Sequence, residues 1–553
     1  MPLIKSAHDL QPRPDGRAPA VAGGMSFSRY CYLFPDLAAH PAAGCLSGTD
    51  EAETLRRLKQ FEIAARLPVV PPPALTIPLP AAFTYFGQFV NHDISAPEGS
   101  VADAVGVAPP DGIIGNADLP GIEQKRRADC ATILAHVVNQ YETPLALTSL
   151  YADGPGSPDP EVAALYAPDG KRFRLAATSV PPDSAFSDIG IDPARVTHAR
   201  GAPDIPRQDR VPLIADRRND GNLILCQMHL AFMLAHNHAV TVLEAQHPDP
   251  ADCFSAARRL LTRHYHWLIL NDFLPRLLSR AVLSRPLADW SPRPHPQGSV
   301  PLEFTTAAFR FGHSLVGRLY DFNANFGAGG VIAPGATLMD LFNFTSQNGM
   351  AQVGHPAPQL PDHWVIDWSR LTRESEAPSA PAHGRAERID MNFAPDMLNV
   401  AGVASLPEHG SILFRNLLRG FHRRMPFGQR LAIACGIEPL SADQLRAALP
   451  RYLSPDGDGS TPVSAAESLG LIAETPAWLY LMCEAEALEQ GQRVGPTAST
   501  IIADTILGLM RSLADPVFDP SWHPDQSPLR RADGGPVDSL AAFLAWAVGP
   551  QIA

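Results

Sequence analysis

Along most of this chain apolar residues return every three or four positions, the spacing of helices that bury one face. The pattern is strongest in CATILAHVVNQY, NLILCQMHLAFMLAHNHAVTVLEAQ, CFSAARRLLTRHYHWLILNDFLPRLLSRAVL, PLEFTTAAFRFGHSLVGRLY and SILFRNLLRGF, with EAETLRRLKQFEIAARL as a further amphipathic helix near the start. Strict alternation is scarce, and RFRLAATSV and HWVIDW are the segments that suit short strands. The pattern predicts a mainly α fold with little β. Another helix is expected after Pro80, where the proline-dense lead-in PVVPPPALTIPLP gives way to AAFTYFGQFVNHDIS. Proline is tolerated before a helix and in its first turn, but not inside it. Breaks near 97–112, 154–160, 286–298, 356–361 and 378–384 separate helical blocks that are not repeats.

Composition refines this picture. At 553 residues the chain is long enough for three or four domains, or for one large core enclosing a deep cavity. The 56 prolines and 41 glycines point to long, stiff loops between helices. A net charge of −13, with no dense basic stripe, gives no electrostatic support for nucleic acid or an anionic membrane as partner. The seven cysteines are scattered without a CxxC pair, which reads as reduced thiols rather than a disulfide framework or a zinc site. The start of the chain lacks the apolar run of a signal peptide, and no stretch of about eighteen apolar residues suggests a membrane span. The expectation is a soluble, cytoplasmic protein.

Several polar side chains sit where packing gives them no reason to be. Gln88 and His92 lie one helical turn apart in an apolar and aromatic helix, so both project toward the same volume. Alone, such a pair is most simply a buried histidine with an ordinary partner. Arg217 and Arg218, in IADRRNDGN, would by themselves be solvated charges at an element boundary. His313 follows Arg310 by one turn in FTTAAFRFGHSLVGRLY, a segment expected to be an apolar helix burying Phe309, Phe311 and Leu315. In ILFRNLLRGF, Asn416 and Arg419 are spaced one turn apart among leucines. Buried arginines need anions, and an asparagine can accept the ring N–H of a ligating histidine. One cofactor would satisfy the whole set: a haem, with two propionates, an iron needing an imidazole and an open opposite face.

FGQFVNHDI, ADRRND leading into QMHLAFMLAHN, FRFGHSLV and RNLLRG, in that order, resemble the animal-type haem peroxidases of the peroxidase–cyclooxygenase superfamily, particularly bacterial members. The resemblance covers roughly residues 80–435. It implies a large single-core helical fold and haem b as cofactor. It casts His92 as the distal histidine, Gln88 as its polar neighbour and Arg218 as the distal arginine. His313 becomes the iron ligand, Asn416 the acceptor on its ring N–H, and Arg310 and Arg419 propionate partners. The ends fall outside the resemblance, and the organisation expected is an N-terminal extension packing on the core (1–75), a catalytic domain (76–485) and a C-terminal helical and loop extension (486–553).

The departures from the family pattern carry expectations of their own. Where many relatives have a haem-esterified aspartate, this chain has Asn91, and the matching glutamate and methionine positions are Gly221 and Asn222. Non-covalent haem follows, with weaker oxidising power than in chloride-oxidising relatives. Asp93 matches a family calcium ligand, but Ala146 stands where LALTSLYADGPG should supply a carboxylate; Thr148 and backbone carbonyls would have to complete the set, and a hard cation takes several oxygens. The oxygenase branch carries a radical-forming tyrosine where Arg310 stands here. The HNH and HYH clusters at 236–238 and 264–266 lack a carboxylate at metalloprotease spacing. His229 and His236 read as core or boundary residues. The function expected is reduction of hydrogen peroxide with one-electron oxidation of a small phenolic or halide-type donor. The alternatives are a haem-dependent fatty-acid dioxygenase or peroxygenase, and a haem-binding protein without turnover. The oligomeric state is not legible.

Overall fold

The computed structural model describes residues 28–66, 76–95, 99–100, 127–139, 141, 143–246, 253–346, 351–352, 355–374, 384–398, 411–454, 459–513 and 517–549. The α-helices of nine residues or more among them are labelled α1 (Glu51–Ala64), α2 (Ala82–Ile94), α3 (Leu223–Gln246), α4 (Cys253–Leu268), α5 (Ile412–His422), α6 (Ala477–Glu489), α7 (Pro496–Ser512) and α8 (Leu540–Val548). No described strand exceeds five residues. The fold is therefore mainly α, as the periodicity implies.

The helix ends obey local chemistry. Asp50 caps α1 by accepting from the Glu53 N–H, Ser411 caps α5 through the Phe414 N–H, and Ser539 caps α8 through the Ala542 N–H. Pro496 opens α7, where its missing N–H costs nothing. Helix α2 starts directly after Pro80 and stops at Ser95, whose backbone is extended.

Helix α3 is the axis of the fold, packed against α2, α4 and α8. It is the described helix long and apolar enough to cross a membrane, yet it is mostly buried in protein. The aromatic face of α2 presses into this layer: Phe89 stacks on Phe232 with ring centroids 4.6 Å apart, and Phe86 meets Phe273 edge-on at 5.4 Å. Side chains from Tyr30 to Ala547 join one contiguous apolar core.

Three expected elements differ. The block 302–320 is not one helix: an α-turn at Leu302–Thr306 ends at Ala307, with φ −130° and ψ −62°, and a 3₁₀ helix follows over Ala308–His313. The block beginning at Cys130 is helical only to His136, because Val137–Asn139 pairs with Ser28–Cys31 and Gly99–Ser100 in a small sheet. Of the two strand candidates, RFRLAATSV contributes only Ala176–Ala177 to a strand, while HWVIDW contains a 3₁₀ turn and no strand.

The short helix after α5, Gly428–Ala434, packs closely on α6. Gly428 is so near α6 that a Cβ there would fall 2.0 Å from Tyr480 Cβ. Overpacking of this kind costs about 1–3 kcal/mol. Gly428→Ala should lower the unfolding free energy by at least that much in urea titration, and an unchanged midpoint would refute the packing argument.

Candidate functional site

Four residues of α2 escape burial, namely Gly87, Gln88, Asn91 and His92, and they form one stripe along an otherwise covered helix. Helix α5 repeats the motif: only Arg415, Arg419 and Gly420 are left uncovered. In the 3₁₀ helix the uncovered residues are Arg310, Gly312 and His313. A 3₁₀ helix has about three residues per turn, so Arg310 and His313 stand one above the other. The correction to the expected α-helix thus aligns these side chains.

These three surfaces are linked by charge: Arg310 of the 3₁₀ helix acts on both His92 and His313, and Arg415 and Arg419 of α5 act on His313. His92 and His313 lie deep in the protein, yet neither residue is fully covered. A Cβ added at Gly312 or Gly420 would meet nothing within 4 Å. The guanidinium of Arg310 disfavours protonation of both His92 and His313, so one charge reaches both rings.

Electrostatics keeps both imidazoles neutral. Burial, then Arg218, pushes His92 down to about 4, against opposing effects of Asp216 and Asn219. His313 is held well below its ordinary value by burial and then by Arg310, Arg419 and Arg415. A neutral imidazole can take up a proton or coordinate a metal, whereas imidazolium can do neither.

A short turn clamps α2 from the side. Over Arg217–Asp220 the chain makes a 3₁₀ turn capped by Asp216. Asn219 Oδ1 lies 2.8 Å from His92 Nδ1, Asn222 Nδ2 donates to Gln88 Oε1 at 3.2 Å, and Arg218 donates to the His92 and Ser95 carbonyls at 2.9 and 2.8 Å. Arg218 is also tied to the buried Asp216, with Nη2 to Oδ2 at 2.6 Å, while Tyr141 donates to the same carboxylate at 2.6 Å. Burial opposes the charge of Asp216, but Arg218 outweighs it and holds the carboxyl below its ordinary value. Of the five guanidinium protons, these bonds leave one on Nη1 for another acceptor. Arg218 therefore sits beside His92 as an anchored cation.

On the other side, Asn416 is buried with its Nδ2 3.4 Å from His313 Nδ1. In this orientation the ring nitrogen accepts, whereas the expected role needs Oδ1 there; exchanging the amide ends supplies it without moving the side chain. The charge of Arg419 disfavours protonation of the same ring, and Arg310 Nε donates to the Thr305 carbonyl at 2.7 Å.

The donor set has the chemistry a haem needs: two neutral imidazoles under the influence of the same guanidinium, and three guanidinium groups acting on His313, where propionates need cations. It does not fit calcium. Asp93 accepts from the Leu147 and Ser149 N–H groups, each at 3.0 Å, and from Ser149 Oγ at 2.9 Å, while Thr148 Oγ1 donates to the Thr143 carbonyl at 3.2 Å. Leu145 and Leu147 take positive φ in this loop, and its N–H groups point where a cation would need oxygens. Burial pushes the Asp93 carboxyl up to about 6 despite those hydrogen bonds. No group of three or more metal-ligating His, Cys, Asp or Glu side chains occurs among the described residues.

Sequence reasoning missed Asp216, Asn219 and Arg415, while His229, expected in the core or at its boundary, is buried. Arg415 carried a usable signal, since it lies four residues before Arg419 on the same helical stripe. Asp216 and Asn219 lie within ADRRND, but nothing local says which elements they bridge.

Residues 193–347, which include Arg218, Arg310 and His313, match the family model of the animal haem peroxidases. A stretch of 110 residues is 34% identical to dual oxidase 1 of Caenorhabditis elegans, covering 20% of this chain but only 7% of that protein. Among solved structures, peroxidase A of Dictyostelium discoideum has a TM-score of 0.50 at 16% identity, covering 88% of this chain and 87% of that one. A fatty acid alpha-dioxygenase of Arabidopsis thaliana has a TM-score of 0.54 at 12% identity, covering 91% and 74%. At those identities the two structures establish the fold alone.

The open space at Gly312 is testable. Gly312→Leu should leave the unfolding free energy within about 1 kcal/mol, because it buries no side chain against existing atoms, while reducing haem uptake in a Soret titration by at least about tenfold. Parent-like uptake would mean that this space is not the haem slot.

Proposed function

We propose, from the premise that this chain belongs to the animal haem peroxidases, that it reduces hydrogen peroxide and oxidises a small donor of the phenol or halide class one electron at a time. The observation that carries the reading is the pair of uncovered, neutral imidazoles, His92 and His313, under the shared influence of Arg310.

Bound haem supplies the redox-active iron at which the O–O bond of peroxide breaks. His313 is the residue that would hold the iron, with Asn416 orienting its ring and Arg310 and Arg419 pairing with propionates. His92 works as base and then acid: its Nε2 takes the proton of one peroxide oxygen and returns it to the other, so that water leaves instead of hydroxide. The bond between His92 and Asn219 supports this assignment, because a proton on Nδ1 leaves Nε2 free. Arg218 has one Nη1 proton available for the charge that develops on the departing oxygen. Gln88 is held by Asn222 at the same stripe, which positions its amide beside His92. Asn91, Gly221 and Asn222 offer neither carboxylate nor thioether, which supports non-covalent haem.

The purified protein should show a Soret band that changes within milliseconds of mixing with peroxide. His92→Ala should slow that change by about 100-fold or more; a variant as fast as the parent refutes the acid–base role. With the folded-state pKa of His92 depressed to about 4, the base stays unprotonated above that value. The second-order rate with peroxide should therefore be flat down to about pH 4–5 and fall only below it. Acidified organic solvent should extract all the haem and leave a polypeptide of the unmodified mass.

A further inference from the structure

Asn219 is fully buried between two imidazoles. Its Oδ1 lies 2.8 Å from His92 Nδ1, and its Nδ2 lies 3.0 Å from His229 Nδ1. An amide has one accepting end and one donating end, so the two Nδ1 atoms must be in opposite states; with the amide as oriented, His92 carries its proton on Nδ1 and His229 presents a bare Nδ1. We propose that Asn219 and His229 are positioning residues that lock His92 in the tautomer whose Nε2 lone pair faces the cavity. The proposal rests on the peroxidase reading of the site given above.

The lock follows from what any slippage would cost. If the amide turned end for end, it would donate to His92 Nδ1, and the His92 proton would move to Nε2, where a base must have none. The same turn would set Oδ1 against His229 Nδ1, so that ring would have to take its proton there in the same step. Neither ring can change tautomer alone without breaking a buried hydrogen bond. The turn that carries Asn219 is itself pinned on both sides. Asp216 holds Arg218 with Nη2 to Oδ2 at 2.6 Å, and Asp220 holds Arg207 in a two-bond pair at 2.7 and 2.6 Å. Asp220 also accepts from Ser346, and the His229 ring stands edge-on to Phe89, 6.1 Å between centroids. The charged groups acting on His92 are Arg218, Asp216 and Arg310, and those acting on His229 are Asp216 and Asp220. None of them replaces the Nδ1 contact that Asn219 makes.

Cyanide binding to the haem-loaded protein tests this without turnover, because hydrogen cyanide must surrender its proton to the same base. Four variants suffice: Asn219→Leu, Asn219→Asp, His229→Phe and His229→Gln, each followed by stopped-flow Soret spectroscopy across pH and by thermal melting. Losing the lock should slow cyanide and peroxide binding by about 10- to 100-fold in Asn219→Leu and His229→Phe, within the range set by a misplaced general base. His229→Gln, whose Oε1 can still accept from Asn219, should remain within about threefold of the parent. Asn219→Asp should keep the rate near neutral pH and shift its acid limb to higher pH, since a carboxylate favours the imidazolium. If Asn219→Leu loses its Soret band or its cooperative melt, the His229 pair decides. Parent-like rates and acid limbs in His229→Phe overturn the proposal. A parent protein that takes up no haem overturns the peroxidase reading first, and the proposal with it.

Discussion

Helix α2 is covered on every side but one, and the residues on the bare side are an amide, a second amide, an imidazole and a glycine. Polar groups taken out of water cost several kcal/mol unless something meets them. Two of these residues, Gln88 and His92, are met laterally by Asn222 and Asn219. The rest of the fold accommodates this constraint. The aromatic face of α2 is sealed against α3 and α4, the clamp at 216–222 holds its flank, and the 3₁₀ helix and α5 present bare stripes of their own. A surface that is polar, internal and uncovered on three elements at once is difficult to explain as core packing.

The clamp shows how buried charge is made tolerable. Asp216 and Asp220 are fully buried, which would be prohibitive for isolated carboxylates. Each is instead paired with a guanidinium and given further donors, from Tyr141 in one case and Ser346 in the other. The gain is geometric rather than energetic, since such pairs roughly offset their desolvation. Between the two pairs, Asn219 has little freedom to move, and the orientation it gives to His92 is inherited from that rigidity.

How far the sequence reveals this site depends on the range of the interactions involved. Gln88 and His92 could be placed on one face because α2 is a regular helix bounded by Pro80, and a period of 3.6 fixes the rest. The 3₁₀ helix at 308–313 could not be foreseen, because Arg310 and His313 at a spacing of three read the same in either helix type. The strand at Val137–Asn139 was hidden inside an apolar run, and its partners lie at 28–31 and 99–100, far away in the chain. Arg218 could be located but not oriented, since the carbonyls it meets belong to α2 and to Ser95. Asn219 carried no periodic signal at all. Its role rests on bringing two histidines, 127 positions before it and 10 after it, to one amide.

The site also inverts the charge of the molecule around it. The whole chain carries −13, yet the groups that act most strongly on His313 after burial are Arg310, Arg419 and Arg415. A local cluster of cations does three things at once. It makes protonation of the nearby imidazoles costly, so they stay neutral; it favours anionic groups beside them; and it does so over a few ångströms, where salt screens poorly. The net negative charge of the whole chain acts at longer range, where salt screens it well.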